Sequence, residues 1–219
     1  MSGDREKILG ALGSALGRNR PAAAAASEMN ARLEARPSGP RPALGPDLMH
    51  HFTDQLTAAA ATWTEVRRAR DTVAAIADYL RERDGSAALV ASDEPILRSL
   101  PWPAELTPRF EMPAGDTGCG VVVADLGIAE TGSVVLCASP AQPTRLNLLP
   151  DALICLLGTD TLVPHLEDAW ERLRAHGLPR TVNLITGPSR TADVEQTLQL
   201  GAHGARHLHV VLVNEPLRP

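Results

Sequence analysis

The sequence predicts an α/β protein: a mainly parallel sheet with helices covering its faces. Three observations carry that expectation. Apolar runs at residues 121–124 and 153–157, and a third at 208–212 broken only by His209, read as buried strands. A segment of helical spacing, with Val73, Ile76, Ala77 and Leu80 in register, lies between strand-like stretches, so helix and strand alternate as they do around parallel strands. Aromatic residues are 3% of the chain against 44% hydrophobic overall, so the core has to be assembled from Val, Leu, Ile and Ala. A length of 219 residues suits one such domain with an appended arm.

Residues 2–16 read as a short helix with Ile8, Leu9, Leu12 and Leu16 on one side. Residues 17–47 hold five prolines and a five-alanine run, which predicts an extended or mobile arm. The expected division is therefore an N-terminal helix and Pro/Ala-rich arm over 1–47 and an α/β domain over 48–219. The domain opens with a helix over 48–61 and a strand over 62–66. A helix over 69–83, stopped by Asp84-Gly85, then precedes a strand over 87–91. Five prolines break residues 95–115 into a short helix, a loop and an edge strand near 106–110. Apolar runs at 121–124 and 133–137 flank a turn at Glu130-Thr131-Gly132. Residues 144–150, TRLNLLP, form a turn carrying the single cation Arg145. A strand at 153–157, a helix over 162–175 with Leu162, Leu166, Ala169 and Leu173 inward, and strands at 182–185 and 208–212 complete the domain.

Net charge is −5 and the isoelectric point about 5.8. No cluster of Lys and Arg forms a basic face, which argues against nucleic acid as a partner. The three cysteines, Cys119, Cys137 and Cys155, stand 18 residues apart with no CxxC pair, as expected of reduced thiols in a cytoplasmic protein. Such spacing supplies neither a structural zinc site nor an iron–sulfur cluster, so no cofactor is expected in this chain. No run approaches the roughly 18 apolar residues of a membrane helix, and the N-terminus lacks the apolar core of a leader; a soluble, cytoplasmic protein is expected.

Two stretches hold the candidate site. At LITGPSRTADVEQTLQLGAHG, residues 184–204, an apolar strand stops at Thr186-Gly187-Pro188, and a helical spacing (Val194, Leu198, Gly201) follows. That order places Ser189, Arg190 and Thr191 between the carboxyl end of a strand and the amino end of a helix, where backbone N–H groups and the helix dipole favour an anion. Ordinary helix capping by Ser or Thr, with Asp193 and Glu195 in the first turn, fits the same pattern. In the second stretch, Glu130 at a strand-end turn offers a carboxylate that can act as acid, base or ligand, and Gly132 permits positive φ or a close backbone approach. A solvent-facing turn with a bulge fits equally. Arg145 can pair with a carboxylate or phosphate through its bidentate fork, or lie on the surface. Among seven histidines, His203 sits in the glycine-rich turn 201–204, and an imidazole there is the candidate proton donor. His207 and His209 would share one face of a strand; convergence with His203 on a metal is allowed but not dictated, and no metal is expected. His50, His51, His165 and His176 read as surface or helix-end residues.

ADLGIAETGSVVL (residues 124–136), LLP (148–150), GPSRTADVE (187–195) and GAHG (201–204) occur in that order. Together they resemble the LUD-domain family, specifically its lactate utilization protein C group, over roughly residues 48–213. One departure is Ala205, where the family usually continues His-Gly with Pro. The resemblance implies a Rossmann-like fold, an open mainly parallel sheet with flanking helices, akin to the sugar-phosphate isomerase and CoA-transferase group. It also implies a part in oxidising L-lactate to pyruvate beside two iron–sulfur partner proteins, whose clusters would carry the electrons. The positions that match the motifs are Glu130, Thr131, Gly132, Ser189, Arg190, Thr191, Asp193, His203 and Gly204.

Two functions follow as expectations. In the first, the chain is a non-redox component of a lactate-oxidising system that binds a partner protein or a small anionic ligand. Thr131, Gly132, Arg145, Gly187, Ser189, Arg190, Thr191, Asp193 and Gly204 would line the ligand site. In the alternative, it is a stand-alone enzyme on a CoA-linked or phosphorylated carboxylate or sugar, with Glu130 as nucleophile or base and His203 as proton donor.

Overall fold

The computed structural model describes residues 2–17, 23–35, 39–83, 88–111, 118–191, 199–201 and 203–218. The chain divides into two compact units, residues 1–41 and 42–219. In the first, α1 spans Ser2–Ala15 and α2 spans Ala23–Ala35. Helix α2 corrects the expectation of an extended arm. Its sequence is free of proline and rich in Ala, Glu, Met, Leu and Arg, all good helix formers, while Pro21 and Pro37 fall outside it.

The second unit begins with α3 (Leu48–Ala58), whose amino end is capped by the Asp47 carboxylate accepting from the His50 N–H at 3.0 Å. It continues with β1 (Thr62–Val66), α4 (Thr72–Arg81), β2 (Leu89–Ala91), α5 (Pro95–Ser99), β3 (Cys119–Val123), β4 (Leu126–Ile128), β5 (Ser133–Cys137), α6 (Thr144–Leu148), β6 (Ala152–Gly158), β7 (Leu162–Val163), α7 (Leu166–Ala175), β8 (Val182–Ile185), β9 (Arg190–Thr191), β10 (Gln199–Leu200) and β11 (His207–Val213).

Five strands form a wholly parallel sheet in the order β1-β11-β6-β3-β2, with Thr62 beside His209, His209 beside Ile154, and Cys119 beside Ala152. This is the α/β architecture expected. Strands β6 and β11 lie inside the sheet, and their seven residues each, apolar but for His207 and His209 of β11, are almost wholly buried because both faces are covered. On one face Val73, Ile76, Tyr79 and Leu80 of α4 pack against Ile154, Leu156, Val211 and Val213. On the other, Phe52 and Leu56 of α3 meet Leu153, Cys155, Leu157, Leu208 and Val210.

A second sheet, β7-β4-β5-β8, is mixed: β4 and β5 form a hairpin, β7 runs parallel to β4, and β8 antiparallel to β5. The period-2 alternation of β5 explains its place. Val134 and Leu136 join the core beneath the parallel sheet, and Val135 turns outward to Leu126, Ile128 and Ala169 of α7. The sequence alone did not separate this sheet from the first. Three elements are corrected accordingly. Strand β8 belongs to the mixed sheet. Residues 162–163 are strand rather than helix, because Pro164 interrupts the run and Leu162 and Val163 pair with Gly127 and Ile128. The expected edge strand near 106–110 reduces to one bridge between Arg109 and Val90.

Candidate functional site

The Glu130 turn is built into the scaffold. The Glu130 N–H donates to the Pro164 carbonyl at 3.0 Å. Its carboxylate lies 3.2 Å from His165 Nδ1 and accepts the Leu166 N–H at 3.3 Å. Leu166 is the first residue of α7, so Glu130 supplies negative charge to a helix amino end from a different element. His165, read from sequence as a helix-end residue, is the N-cap of that helix. Gly132 has φ +64°, and a Cβ there would lie 2.6 Å from the backbone of Gln55 and Leu56. The close approach that needs glycine is therefore to α3. Thr131 and Thr186 are joined through Ser133, with hydroxyl separations of 2.6 and 2.5 Å, so hydroxyls tie this turn to the segment after β8.

The described part of that segment, through Thr191, is extended rather than helical. Arg190–Thr191 pairs antiparallel with Gln199–Leu200, Arg190 standing opposite Leu200. The Ser189 N–H, which an anion at this turn would draw on, is in use: it donates to the Ala205 carbonyl at 2.8 Å, while the Ser189 carbonyl accepts from the Gly201 N–H at 3.0 Å. The helical spacing rested on Val194 and Leu198, which with Asp193 lie outside the described residues. Gly187, at φ +73°, packs its Cα against the Ala59 carbonyl, and Arg190 Nη2 donates to the same oxygen at 3.4 Å. Ala59 is the C-cap of α3, where a guanidinium complements the helix dipole.

These loops enclose a pocket of about 250 Å³ at the amino ends of β6 and β11. It brings together Gly187, Ser189, Arg190, His203 and Gly204 from the sequence-predicted set, and adds Thr186 and Asn147. Leu153 and Leu208 supply apolar wall. The His203 N–H reaches Ser189 Oγ at 3.4 Å, which holds the glycine-rich turn against the β8 loop. His203 and Gly204 also border a second hollow of about 560 Å³ beside Asp151 and Arg206. Glu130, Thr131 and Gly132 do not line the pocket, and neither does Arg145, which is exposed on α6. Thr191 lies in β9 beyond the lining.

Asn147 is the residue that the sequence did not single out. It is 1% exposed, lines the pocket from α6, and has no hydrogen-bond partner for either Oδ1 or Nδ2 among the described residues. The available signal was one amide inside the otherwise apolar run Leu-Asn-Leu-Leu.

The remaining histidines lie elsewhere. His209 is buried under the parallel sheet's outer helix, with Nδ1 2.8 Å from Thr62 Oγ1 and its ring stacked on Tyr79 at 4.2 Å. Burial pushes its pKa down to about 4, and lowers that of His207 as well. Among the described residues no three His, Cys, Asp or Glu side chains are grouped to hold a metal. Cys119 and Cys155 belong to cores on opposite faces of the sheet, and Cys137 lies in β5. Burial raises all three thiols, Cys119 and Cys137 to about 12, with the Asp125 carboxylate adding to the effect at Cys137. No helix among the described residues is long and apolar enough to cross a membrane.

Comparison with known proteins bears out the family resemblance. The LUD domain model matches residues 110–213, a segment that contains the Glu130 turn, α6 and the pocket. Lactate utilization protein C of Bacillus subtilis is 32% identical over 129 residues, which cover 52% of this chain and 54% of that protein. Its namesake in Macrococcus caseolyticus is 34% identical over 101 residues, 44% of each. An uncharacterized protein of Neisseria meningitidis serogroup B is 41% identical over 92 residues, 41% of this chain and 40% of that one. The matched segments thus span about half the length of these relatives or less. The crystal structure of a DUF162 family protein from Deinococcus radiodurans aligns with a TM-score of 0.57 at 26% identity, over 79% of this chain and all of that one.

Proposed function

We propose that this chain is a component of a lactate-utilization system that holds a small anionic ligand in the pocket between α6, the β8 loop and the 201–204 turn. The observation that carries the proposal is the composition of that pocket. Arg190 and His203 line it, Ser189 and Thr186 add hydroxyls, and Asn147 stands in the lining with a buried amide that has no partner among the described residues, all within the segment that matches the LUD domain. Its volume of about 250 Å³ falls below the roughly 300–1,000 Å³ of sites for drug-sized ligands, which favours a small metabolite. Relatives named lactate utilization protein C supply the physiological context.

In this proposal the chain itself is non-redox and works beside two iron–sulfur partner proteins. The placement of its thiols on separate strands, two of them facing opposite sides of a sheet, supports assigning the clusters to partners. The stand-alone enzyme would draw on Glu130 as nucleophile. The contacts of that carboxylate with His165 and the first N–H of α7 favour a capping role instead.

Deletion of the gene, with growth on L-lactate as sole carbon source, tests the proposal. Loss of growth, restored by the wild-type chain but not by Arg190→Gln, is the expected result. Retrieval of two iron–sulfur proteins on the tagged chain from lactate-grown cells is expected alongside it. Wild-type growth of the deletion strain would overturn the proposal.

A further inference from the structure

The pocket is at odds with the rule that buried polar groups find partners. Asn147 is held on α6 between Leu146, itself 1% exposed, and Leu148, and both of its amide atoms are shielded from water without a hydrogen bond. An orphaned amide of this kind is destabilising, and such groups are retained chiefly where a ligand or ordered water completes them. Gln142, five residues earlier in the chain, shows that the fold does satisfy a buried amide when the role is structural. Its Oε1 accepts the Val123 N–H at 2.9 Å and its Nε2 donates to the Val123 carbonyl at 3.0 Å.

We infer that Asn147 is a specificity-determining residue that selects a 2-hydroxy carboxylate over the corresponding 2-oxo carboxylate. This inference rests on the anion-binding proposal above. In the ligand-free structure neither amide atom is open to the pocket, so the lining beside α6, where Leu148 is 40% exposed, has to yield before a ligand meets them. Once reached, the amide presents an acceptor, Oδ1, beside a donor, Nδ2. A 2-hydroxy acid presents the complementary edge: its hydroxyl donates to Oδ1 while a carboxylate oxygen accepts from Nδ2. The second carboxylate oxygen is then left for Arg190 or His203, which line the same pocket. A 2-oxo acid presents two acceptors on that edge, so Oδ1 would stay unpaired and face another oxygen. Sites built to hydrogen-bond a hydroxyl discriminate strongly against analogues that cannot complete the bond. Leu153 and Leu208 lie in the same lining and leave apolar room for the short carbon chain.

The test is calorimetric titration of the full chain with L-lactate, pyruvate and propionate. It is read together with the Asn147 side-chain amide resonance in a ¹⁵N-labelled sample. L-lactate is expected to bind at least tenfold more tightly than pyruvate or propionate and to shift that resonance; Asn147→Leu is expected to bring the three affinities together. Lactate and pyruvate binding within tenfold of each other in the wild type would overturn the inference and leave the anion proposal standing. So would an unmoved Asn147 resonance, or a preference that survives Asn147→Leu. Failure of all three acids to bind at millimolar concentration would overturn both. If Asn147→Leu does not fold, the wild-type affinity ratio and the resonance decide the question.

Discussion

Two buried amides, five residues apart in the chain, divide the molecule into a closed region and an open one. Gln142 is 0% exposed and Asn147 1% exposed. Strand β2 ends at Ala91, opposite Val121, and the Gln142 side chain takes the place of the missing strand beside Val123. The Glu130 turn belongs to the same closed class, since its carboxylate, backbone N–H and hydroxyl neighbours all have protein partners. Around Asn147 the polar groups converge on a pocket and the amide stays unpaired. Burial and side-chain chemistry are matched in the two amides, so partnering alone distinguishes them.

The sharpest way to break that contrast is to remove the partnered amide. Gln142→Leu leaves the Val123 N–H and carbonyl buried with no partner on that side. At about 1–3 kcal/mol for each of the two orphaned groups, a loss of roughly 2–6 kcal/mol is expected. Urea unfolding measures it. A loss under about 1 kcal/mol would show that the ladder beyond β2 does not depend on Gln142.

His209 is the intermediate case, with Nδ1 paired to Thr62 and Nε2 buried without a partner. Its folded-state pKa of about 4 lies below the unfolded value of 6.5, so the unfolded chain binds the proton first as pH falls. Its contribution to stability is present above pH 6.5 and declines through the window down to about 4. From the size of that shift, unfolding free energy is expected to drop by roughly 2 kcal/mol between pH 7 and pH 5. The lowered pKa of His207 acts in the same direction. His209→Phe keeps a ring against Tyr79 and should flatten most of this slope; an unchanged slope would place the titration elsewhere.

The contrast also explains what the sequence revealed. Apolar runs such as 153–157, and 208–212 with its one histidine, announced their strands because burial on both faces demands nearly continuous hydrophobicity, and residues 72–81 showed their helical period plainly. The Gly187, Ser189, Arg190, His203 and Gly204 members of the pocket were legible as a turn and a glycine-rich motif. Their geometry was not. The helix expected after Thr191 falls outside the described residues, while the turn before it is tied by Arg190–Thr191 pairing with Gln199–Leu200 and by the Ser189 N–H donating to Ala205, 16 positions along the chain, contacts that no local periodicity encodes. Gly132 needed its positive φ for α3 rather than for a ligand, and Asn147 carried no motif. Partnering is a tertiary property, so the sequence could place a polar residue in an apolar run but could not say whether it would be satisfied.

A smaller effect is expected at the Glu130 turn. Glu130→Ala removes the carboxylate that accepts from the first residue of α7 and lies beside His165, a change comparable to losing a helix cap, or about 1 kcal/mol. Lactate affinity should be untouched, because Glu130 does not line the pocket. The comparison breaks if Glu130→Ala leaves stability unchanged and abolishes lactate binding instead, for the turn would then belong to the open region.

The smallest stability change is expected where a polar group is most deeply buried. Replacing a partnered buried amide with leucine is destabilising because the partners are orphaned, as at Gln142. At Asn147 no partner exists to be orphaned, and the substitution removes two unsatisfied atoms from an apolar environment among Leu146, Leu148 and Leu153. Leucine is the larger side chain, and the adjoining pocket gives it room. Asn147→Leu should therefore change the stability of the ligand-free chain by no more than about 0.5 kcal/mol, or raise it. In the wild type, L-lactate should raise the unfolding midpoint more than the same concentration of pyruvate does, and in Asn147→Leu the two rises should become equal. A destabilisation by Asn147→Leu as large as that by Gln142→Leu would mean that the two amides do the same work, and the division between closed and open regions would fall with it.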